Sequence, residues 1–152
     1  VATTYGGQCI FTDYGGVTGD IRMWLFEGIA ATDPQNTYLG KGRAWKLTPN
    51  RYCNSDRPLT LKIATAAVKK DVPFTATIMV KVDAVGYCAR LRCSGPGVSE
   101  QTAESVAGYT RYQKLTITTT PTEEGVLEFF VDVWTDTHTD ASVYVDHFII
   151  KQ

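Results

Sequence analysis

The sequence predicts an all-β protein, an antiparallel sandwich or barrel, and three observations support this fold class. Apolar and polar residues alternate with a period of two along most of the chain, as in strands that bury one face. Turn-forming clusters separate these runs at intervals of about ten residues, which is typical of sandwiches and barrels. Only 65–70 and 98–107 could host a helical turn, and neither segment is long enough to form a stable helix alone.

The first third of the chain is rich in glycine. Tyr5-Gly6-Gly7 and Tyr14-Gly15-Gly16 repeat nine residues apart, and glycine seldom forms rigid central strands because it loses much conformational entropy on folding. Residues 1–20 are therefore predicted to be a Gly-rich arm that adds a strand to a neighbouring subunit, or a first strand with looped connections on the same domain. The sandwich domain is predicted over 21–152, with its first well-buried strand at Ile21–Phe26.

Two strands are predicted in the middle of the chain. Leu59, Leu61 and Ile63 alternate with Thr60 and Lys62. The segment 73–85 follows with a core face and a wetter face. The core face is Phe74, Ala76, Ile78, Val80 and Val82.

Three more strands are predicted towards the C-terminus. Their inward rows are Leu115, Ile117 and Thr119; then Leu127, Phe129, Val131 and Val133; then Val143, Val145 and His147. Turn-forming residues mark 54–58, 94–97 and 122–125.

Size, charge and hydropathy restrict the possible partners. A chain of 152 residues fits one domain that buries roughly 70% of its unfolded surface. The formal charge of −1 gives no reason to expect nucleic acid or an anionic membrane as partner. No apolar run approaches the roughly 20 residues that span a bilayer. Because the chain begins with Val1, we expect a processed product or part of a longer protein.

The four cysteines are compatible with two disulfides in an oxidising compartment. We expect Cys88 to pair with Cys93, because they are close in sequence and flank a turn, and Cys9 to pair with Cys53. Four free thiols are the alternative. The sequence has no C-x-x-C spacing of the kind that binds zinc.

No catalytic motif is present, and we expect no enzymatic activity. His147 adjoins Asp146 in a strand, where neighbouring residues point to opposite faces. His138 lies in a polar loop. Glu128 and Asp132 share a strand face, but their backbones are roughly 13 Å apart, too far for a pair of glycosidase carboxylates on one strand.

The most informative surface is the second face of the strand at 127–133, formed by Glu128, Phe130, Asp132 and Trp134. Aromatic rings stack on sugars and carboxylates accept hydroxyl hydrogen bonds, so this face suits a glycan. It equally suits a subunit interface, or burial of the rings under a covering loop.

Calcium is the cofactor that the sequence suggests. Ca²⁺ takes six to eight oxygen ligands and often ties strand ends together. Asp146 is the best candidate ligand, with Asp20 and Glu27 as partners because first and last strands are often neighbours. The alternative is that Asp146 accepts backbone hydrogen bonds at a bend.

The segment 57–152 resembles the carbohydrate-binding-module and galactose-binding-like jelly rolls. The matching residues lie at 58–62, 73–81, 113–117 and 121–125 and in Val143-Tyr144-Val145-Asp146. The resemblance implies a jelly-roll β-sandwich. Similar modules recur in phage structural proteins. Gln113 stands where sugar-binding modules of this type commonly carry Trp, and His147 where they carry a second acid or amide.

Together these features predict a non-enzymatic structural or decoration module of an extracellular assembly, on a phage-like virion surface or a protein filament. Its expected partners are copies of itself or other assembly subunits. The alternative is a carbohydrate-binding module that holds a glycan on the Phe130 and Trp134 face.

Overall fold

A computed structural model describes residues 9–13, 29–40, 44–106 and 109–152, with only the backbone described for 9–13 and 29–32. All its regular elements are strands. They are β1 (Cys9–Asp13), β2 (Ile29–Asp33), β3 (Ala44–Thr48), β4 (Leu59–Val68), β5 (Phe74–Val82), β6 (Tyr87–Gly95), β7 (Val98–Glu104), β8 (Gln113–Thr119), β9 (Gly125–Thr135) and β10 (Val143–Lys151). Within the described ranges, no helix is long and apolar enough to cross a membrane.

The strands form two antiparallel sheets. The six-stranded sheet has the order β2-β3-β10-β5-β8, and β1 also pairs with β10. The four-stranded sheet has the order β4-β9-β6-β7. This confirms the all-β jelly-roll sandwich predicted from the sequence.

The two inner faces meet in one apolar core, as alternating strands require. Phe129 of β9 lies at its centre, with its ring centroid 6.3 Å from Phe74 of β5 and 5.5 Å from Phe148 of β10. The predicted inward rows of β4, β5 and β9 are all buried.

Two irregularities change which residues face inwards. In β4, Lys62 pairs with Phe130 but Ala64 pairs with Phe129, so Ile63 is the extra residue of a β-bulge. In β10 the register shifts between Asp146 and Ile149, and His147 has a φ of 58°. After Val145, the next residue of β10 that faces the core is therefore Phe148. The prediction that His147 belongs to the inward row is wrong.

Several local expectations change in the structure. Residues 98–104 form β7 and residues 65–68 form the end of β4, so strands occupy most of the two segments in which a helical turn was considered. Strands β3 and β6 were not predicted from the pattern. The predicted strand Ile21–Phe26 and most of the arm 1–20 lie outside the described residues. Within 1–20, β1 pairs with β10 of the same chain.

Candidate functional site

The candidate site is the outer face of the four-stranded sheet. Thr60 of β4, Asp132 of β9, Arg90 of β6 and Glu104 of β7 are cross-strand partners in one row over this face. On β9, the outward-facing positions on either side of Asp132 are Phe130 and Trp134. Alternation places all these side chains on the surface opposite to the core.

Asp132 is the buried centre of the face. Its side chain has 0% exposure, although it points away from the core. Oδ2 accepts hydrogen bonds from Nε of Arg90 at 2.9 Å and from Nε of Arg92 at 2.8 Å. Oδ1 accepts a bond from Oγ1 of Thr60 at 2.7 Å and one from Nη2 of Arg92 at 3.2 Å. Two cations and a hydroxyl therefore satisfy this carboxylate.

The ionisation of Asp132 follows from these partners. Burial raises its pKa, but the hydrogen bonds from Arg92 and Thr60 and the charge of Arg92 outweigh burial, so the pKa is lowered overall. The Asp132 bond in turn raises the pKa of Arg92. Asp132 and Arg92 are therefore both charged at neutral pH.

Each guanidinium also lies against an aromatic ring. Cζ of Arg92 is 4.3 Å from the ring centroid of Phe130, and Cζ of Arg90 is 5.1 Å from that of Trp134. These are cation–π distances. The two half-buried rings and the two arginines therefore form a row of contacts, which we call the ladder. Its order is Phe130, Arg92, Asp132, Arg90 and Trp134.

Each arginine keeps its Nη1 group directed at a glutamate of β7. Nη1 of Arg90 is 3.8 Å from Glu104 Oε1, and Nη1 of Arg92 is 3.8 Å from Glu100 Oε2. Both distances exceed a hydrogen bond. Both glutamate side chains are more than half exposed.

A groove of about 400 Å³ lies over this cluster. Its lining runs from the loop before β4 to β7: Ser55, Asp56, Pro58, Thr60, Arg90, Arg92 and Glu100. Nη2 of Arg90 donates a 3.2 Å bond to the Ser55 carbonyl and so ties the loop to the sheet. The lining includes Arg90 and Arg92 but neither Phe130 nor Trp134.

The structure brings the four residues predicted from the sequence onto one face, with Glu128 forming a 2.5 Å ion pair with Lys62 of β4. Sequence reasoning missed Arg90 and Arg92. The signal was available, because 87–94 alternates buried with polar residues and places both arginines outward.

Asp146, the predicted calcium ligand, is buried beside the β10 bulge. Its Oδ2 accepts a 2.9 Å bond from the Tyr38 amide, and its Oδ1 accepts a 2.8 Å bond from the His147 amide. The described residues contain no group of three or more His, Cys, Asp or Glu arranged to hold a metal. Asp20 and Glu27 lie outside the described part of the chain.

The disulfide predictions are wrong. Cys88 and Cys93 lie in β6, on opposite faces of one strand and about 16 Å apart along it, too far for a bond that needs Cα atoms within about 7 Å. Cys53 is a free thiol whose Sγ is 3.8 Å from the Val133 carbonyl, so it is not paired with Cys9.

The predicted polar loop around His138 closes one end of the core. Nδ1 of His138 contacts Asp140, and the buried Tyr87 hydroxyl donates a 2.6 Å bond to the His138 carbonyl. The same hydroxyl accepts a 3.0 Å bond from the Ala141 amide. These contacts satisfy a buried tyrosine and hold the loop in place.

Comparison with known proteins finds no family model that matches the sequence and no curated protein of similar sequence. Solved structures do match the fold, among them several carbohydrate-binding modules.

The CBM22-1 xylan-binding domain of Paenibacillus barcinonensis Xyn10C has a TM-score of 0.62 and 14% identity, covering 98% of this chain and 97% of that one. The carbohydrate-binding module CBM6cm-2 of Cellvibrio mixtus lichenase 5A, in complex with cellotriose, has a TM-score of 0.56 and 11% identity, covering 95% and 98%. The CBM22-1 and GH10 modules of Clostridium thermocellum endo-1,4-beta-D-xylanase 10B, complexed with xylohexaose, give a TM-score of 0.61 and 13% identity over 95% of this chain. This chain spans 28% of the length of that protein. At identities this low, the TM-scores show a shared fold alone.

Proposed function

We propose that this protein is a non-catalytic carbohydrate-binding module that holds a glycan on the outer face of its four-stranded sheet. The observation that carries the proposal is the ladder of Phe130, Arg92, Asp132, Arg90 and Trp134, fixed beside an open groove.

The chemistry of this face fits sugar hydroxyls. A hydroxyl both donates and accepts, and the groove offers guanidinium donors beside carboxylate and hydroxyl acceptors. Because Asp132 and the rings already hold the guanidinium groups, little side-chain entropy is lost when a ligand binds. A volume of about 400 Å³ is within the usual range of small-molecule sites.

The comparisons support the proposal at the level of the fold. The similar structures include a xylan-binding domain and complexes with xylohexaose and cellotriose. Because fold alone does not determine function, the proposal depends on the face itself. The similar structures give no support to the predicted role in a virion or filament, and we favour the glycan for this face.

An extracellular location belongs to the same proposal, because polysaccharides are met outside the cell. The assembly role remains testable by light scattering over a concentration series. A 16.7 kDa particle at every concentration fits a monomeric module, whereas growth into polymers would support assembly.

Calcium at Asp146 is retained as a second, structural proposal. The Asp146 carboxylate lies beside the β10 bulge, where the Tyr38 and His147 amides approach its two oxygens, and carboxylate oxygens are among the preferred ligands of Ca²⁺. The remaining oxygen ligands would come from residues such as Asp20 and Glu27. Bound Ca²⁺ would tie the bulge of β10 to the N-terminal part of the chain.

Isothermal titration with xylohexaose and cellotriose tests the proposed function. We expect wild-type protein to bind at least one of them, and Trp134→Ala or Phe130→Ala to weaken binding roughly tenfold through loss of the aromatic support. Tyr38→Ala is the matched control, since Tyr38 packs on Tyr112 and His147 near β10 of the other sheet. Loss of binding in the control alone would contradict the proposed face.

A further inference from the structure

We propose that Arg90 with Glu104 and Arg92 with Glu100 form two hydroxyl-reading pairs that admit neutral glycans and exclude glycans bearing carboxylates. This inference rests on the proposed function and specifies which glycans the face accepts.

Asp132 holds both arginines in fixed orientations. Nε and Nη2 of both guanidinium groups are engaged by Asp132, and Nη2 of Arg90 also by the Ser55 carbonyl. The remaining group, Nη1, points at β7 in both residues. Asp132 therefore acts as a positioning residue that fixes two donors in known directions.

A gap separates each Nη1 donor from its glutamate. A separation of 3.8 Å is too long for a direct hydrogen bond between Nη1 and the glutamate oxygen. An oxygen placed beside both could accept from Nη1 and donate to the carboxylate. A hydroxyl does both, whereas a carboxylate only accepts.

The two pairs are spaced along one strand. Arg90 and Arg92 are two residues apart on β6, which places their backbones about 6.6 Å apart along the strand. Two hydroxyls of one sugar, or of neighbouring sugars, can therefore be read together. The groove lining joins this region to Thr60 and Asp56 across the sheet.

Negative groups are in excess on the outer face around the pairs. Asp132 and the three glutamates Glu100, Glu104 and Glu128 outnumber the two arginines and Lys62. Asp132 already offsets part of the arginine charge inside the cluster. A uronate brought into the groove would meet the exposed carboxylates of Asp56 and Glu100 in its lining, and Glu104 lies beside Arg90 on the neighbouring strand. The arginines are already paired, and like charges brought together in this way repel.

The experiment compares the neutral probes xylohexaose and cellotriose with the acidic probe trigalacturonate, by isothermal titration at low salt. Wild-type protein should bind a neutral probe and not trigalacturonate. Two double variants distinguish the effect of the glutamate charges from the effect of their hydrogen-bond acceptor oxygens. Glu100→Gln with Glu104→Gln keeps an acceptor oxygen and removes the charge, and Glu100→Ala with Glu104→Ala removes both.

We expect the Gln pair to keep neutral binding within about threefold and to gain measurable binding of trigalacturonate. We expect the Ala pair to lose neutral binding roughly tenfold or more. Glu123→Gln with Glu124→Gln, in the exposed segment before β9, is the control for the change of two charges and should change neither affinity. Because both glutamates are exposed, all variants should fold, and circular dichroism checks this.

The other outcomes overturn the inference in distinguishable ways. If wild-type protein binds trigalacturonate as tightly as a neutral probe, or if neither double variant changes any affinity while Trp134→Ala does, the pairs do not read hydroxyls and the proposed function stands. If wild-type protein binds none of the three probes, the proposed function falls and this inference falls with it.

Discussion

Nε of Arg92 donates a 2.8 Å hydrogen bond to Oδ2 of Asp132, a carboxylate with no exposed surface on the outside of a sheet. A buried charge is tolerated only when partners replace its lost water. Arg90 and Thr60 complete that replacement. The outer face is therefore organised around an ion cluster, and we expect its removal to affect stability as well as binding.

Replacing Asp132 by Asn should lower the free energy of unfolding by about 3–5 kcal/mol, because two arginines lose a buried counter-charge. Urea unfolding measures this change. Glu128→Gln is the control, since its exposed ion pair with Lys62 should contribute no more than about 1 kcal/mol. Equal effects of the two substitutions would contradict a special role for Asp132.

Acid should destabilise the protein through the same group. The pKa of Asp132 is lower in the folded protein than in the unfolded chain, so its contribution is complete above an unfolded pKa of about 3.9 and is lost as pH falls through the folded pKa. Stability measured from pH 6 down to pH 2 should fall below about pH 4. In Asp132→Asn the loss of stability below about pH 4 should be smaller. An unchanged dependence of stability on pH would argue against Asp132 as the group responsible.

The centre of the core is at Phe129, which meets aromatic rings of the facing sheet. Phe129→Ala should cost about 3–5 kcal/mol, because it leaves a cavity among rings that cannot close around it. Phe130→Ala, one residue later on the outer face, should cost markedly less. Thermal melts of the two variants compare the faces of one strand, and similar losses would contradict their assignment.

The cysteines should behave as free thiols. Burial raises the pKa of Cys93 to about 11 and raises that of Cys88, and only the thiolate reacts rapidly with alkylating reagents. At pH 8, Cys93 should resist iodoacetamide in native protein, while Cys53, Cys88 and Cys93 each take one label in denaturant. Mass spectrometry counts the labels. If Cys88 and Cys93 both stayed unlabelled in denaturant, the result would support a disulfide between them and contradict this prediction.

Calcium should stabilise the protein if Asp146 is a ligand. Melting in 1 mM Ca²⁺ should occur at a higher temperature than in EGTA, because an ion that binds only the folded state stabilises it. Asp146→Ala should remove the difference. A melting temperature that does not respond to Ca²⁺ would contradict the calcium proposal and leave Asp146 with a structural role, in which it accepts hydrogen bonds from the Tyr38 and His147 amides.

The sequence was sufficient to predict the fold class and the facing of β9, because period-two alternation is a local property that survives in the structure. The row Leu127, Phe129, Val131 and Val133 is buried, and Phe130 and Trp134 are on the other face, as predicted. Alternation fails at bulges, which is why His147 was placed in the wrong row.

The rest of the site depends on pairing between distant strands. Nothing local in the sequence says that Arg90 lies opposite Asp132, since strand register is set by the whole sheet. The sequence therefore predicts Asp132 on a face that suits a glycan, a subunit interface or a covering loop, whereas in the structure Asp132 binds two arginines. The wrong pairing of Cys88 with Cys93 has the same origin, because it assumed a turn between two residues that lie in the single strand β6.

The position of β10 has a consequence for how the chain folds. This strand, last in the sequence, pairs with β5 along one edge and with β3 and β1 along the other. During synthesis the edges of β3 and β5 must wait for residues 143–151 before the sheet can close. Such non-local pairing slows folding and leaves unpaired edges open to wrong partners. We therefore expect productive expression to depend more on suppressing early aggregation than on the stability of the finished sandwich.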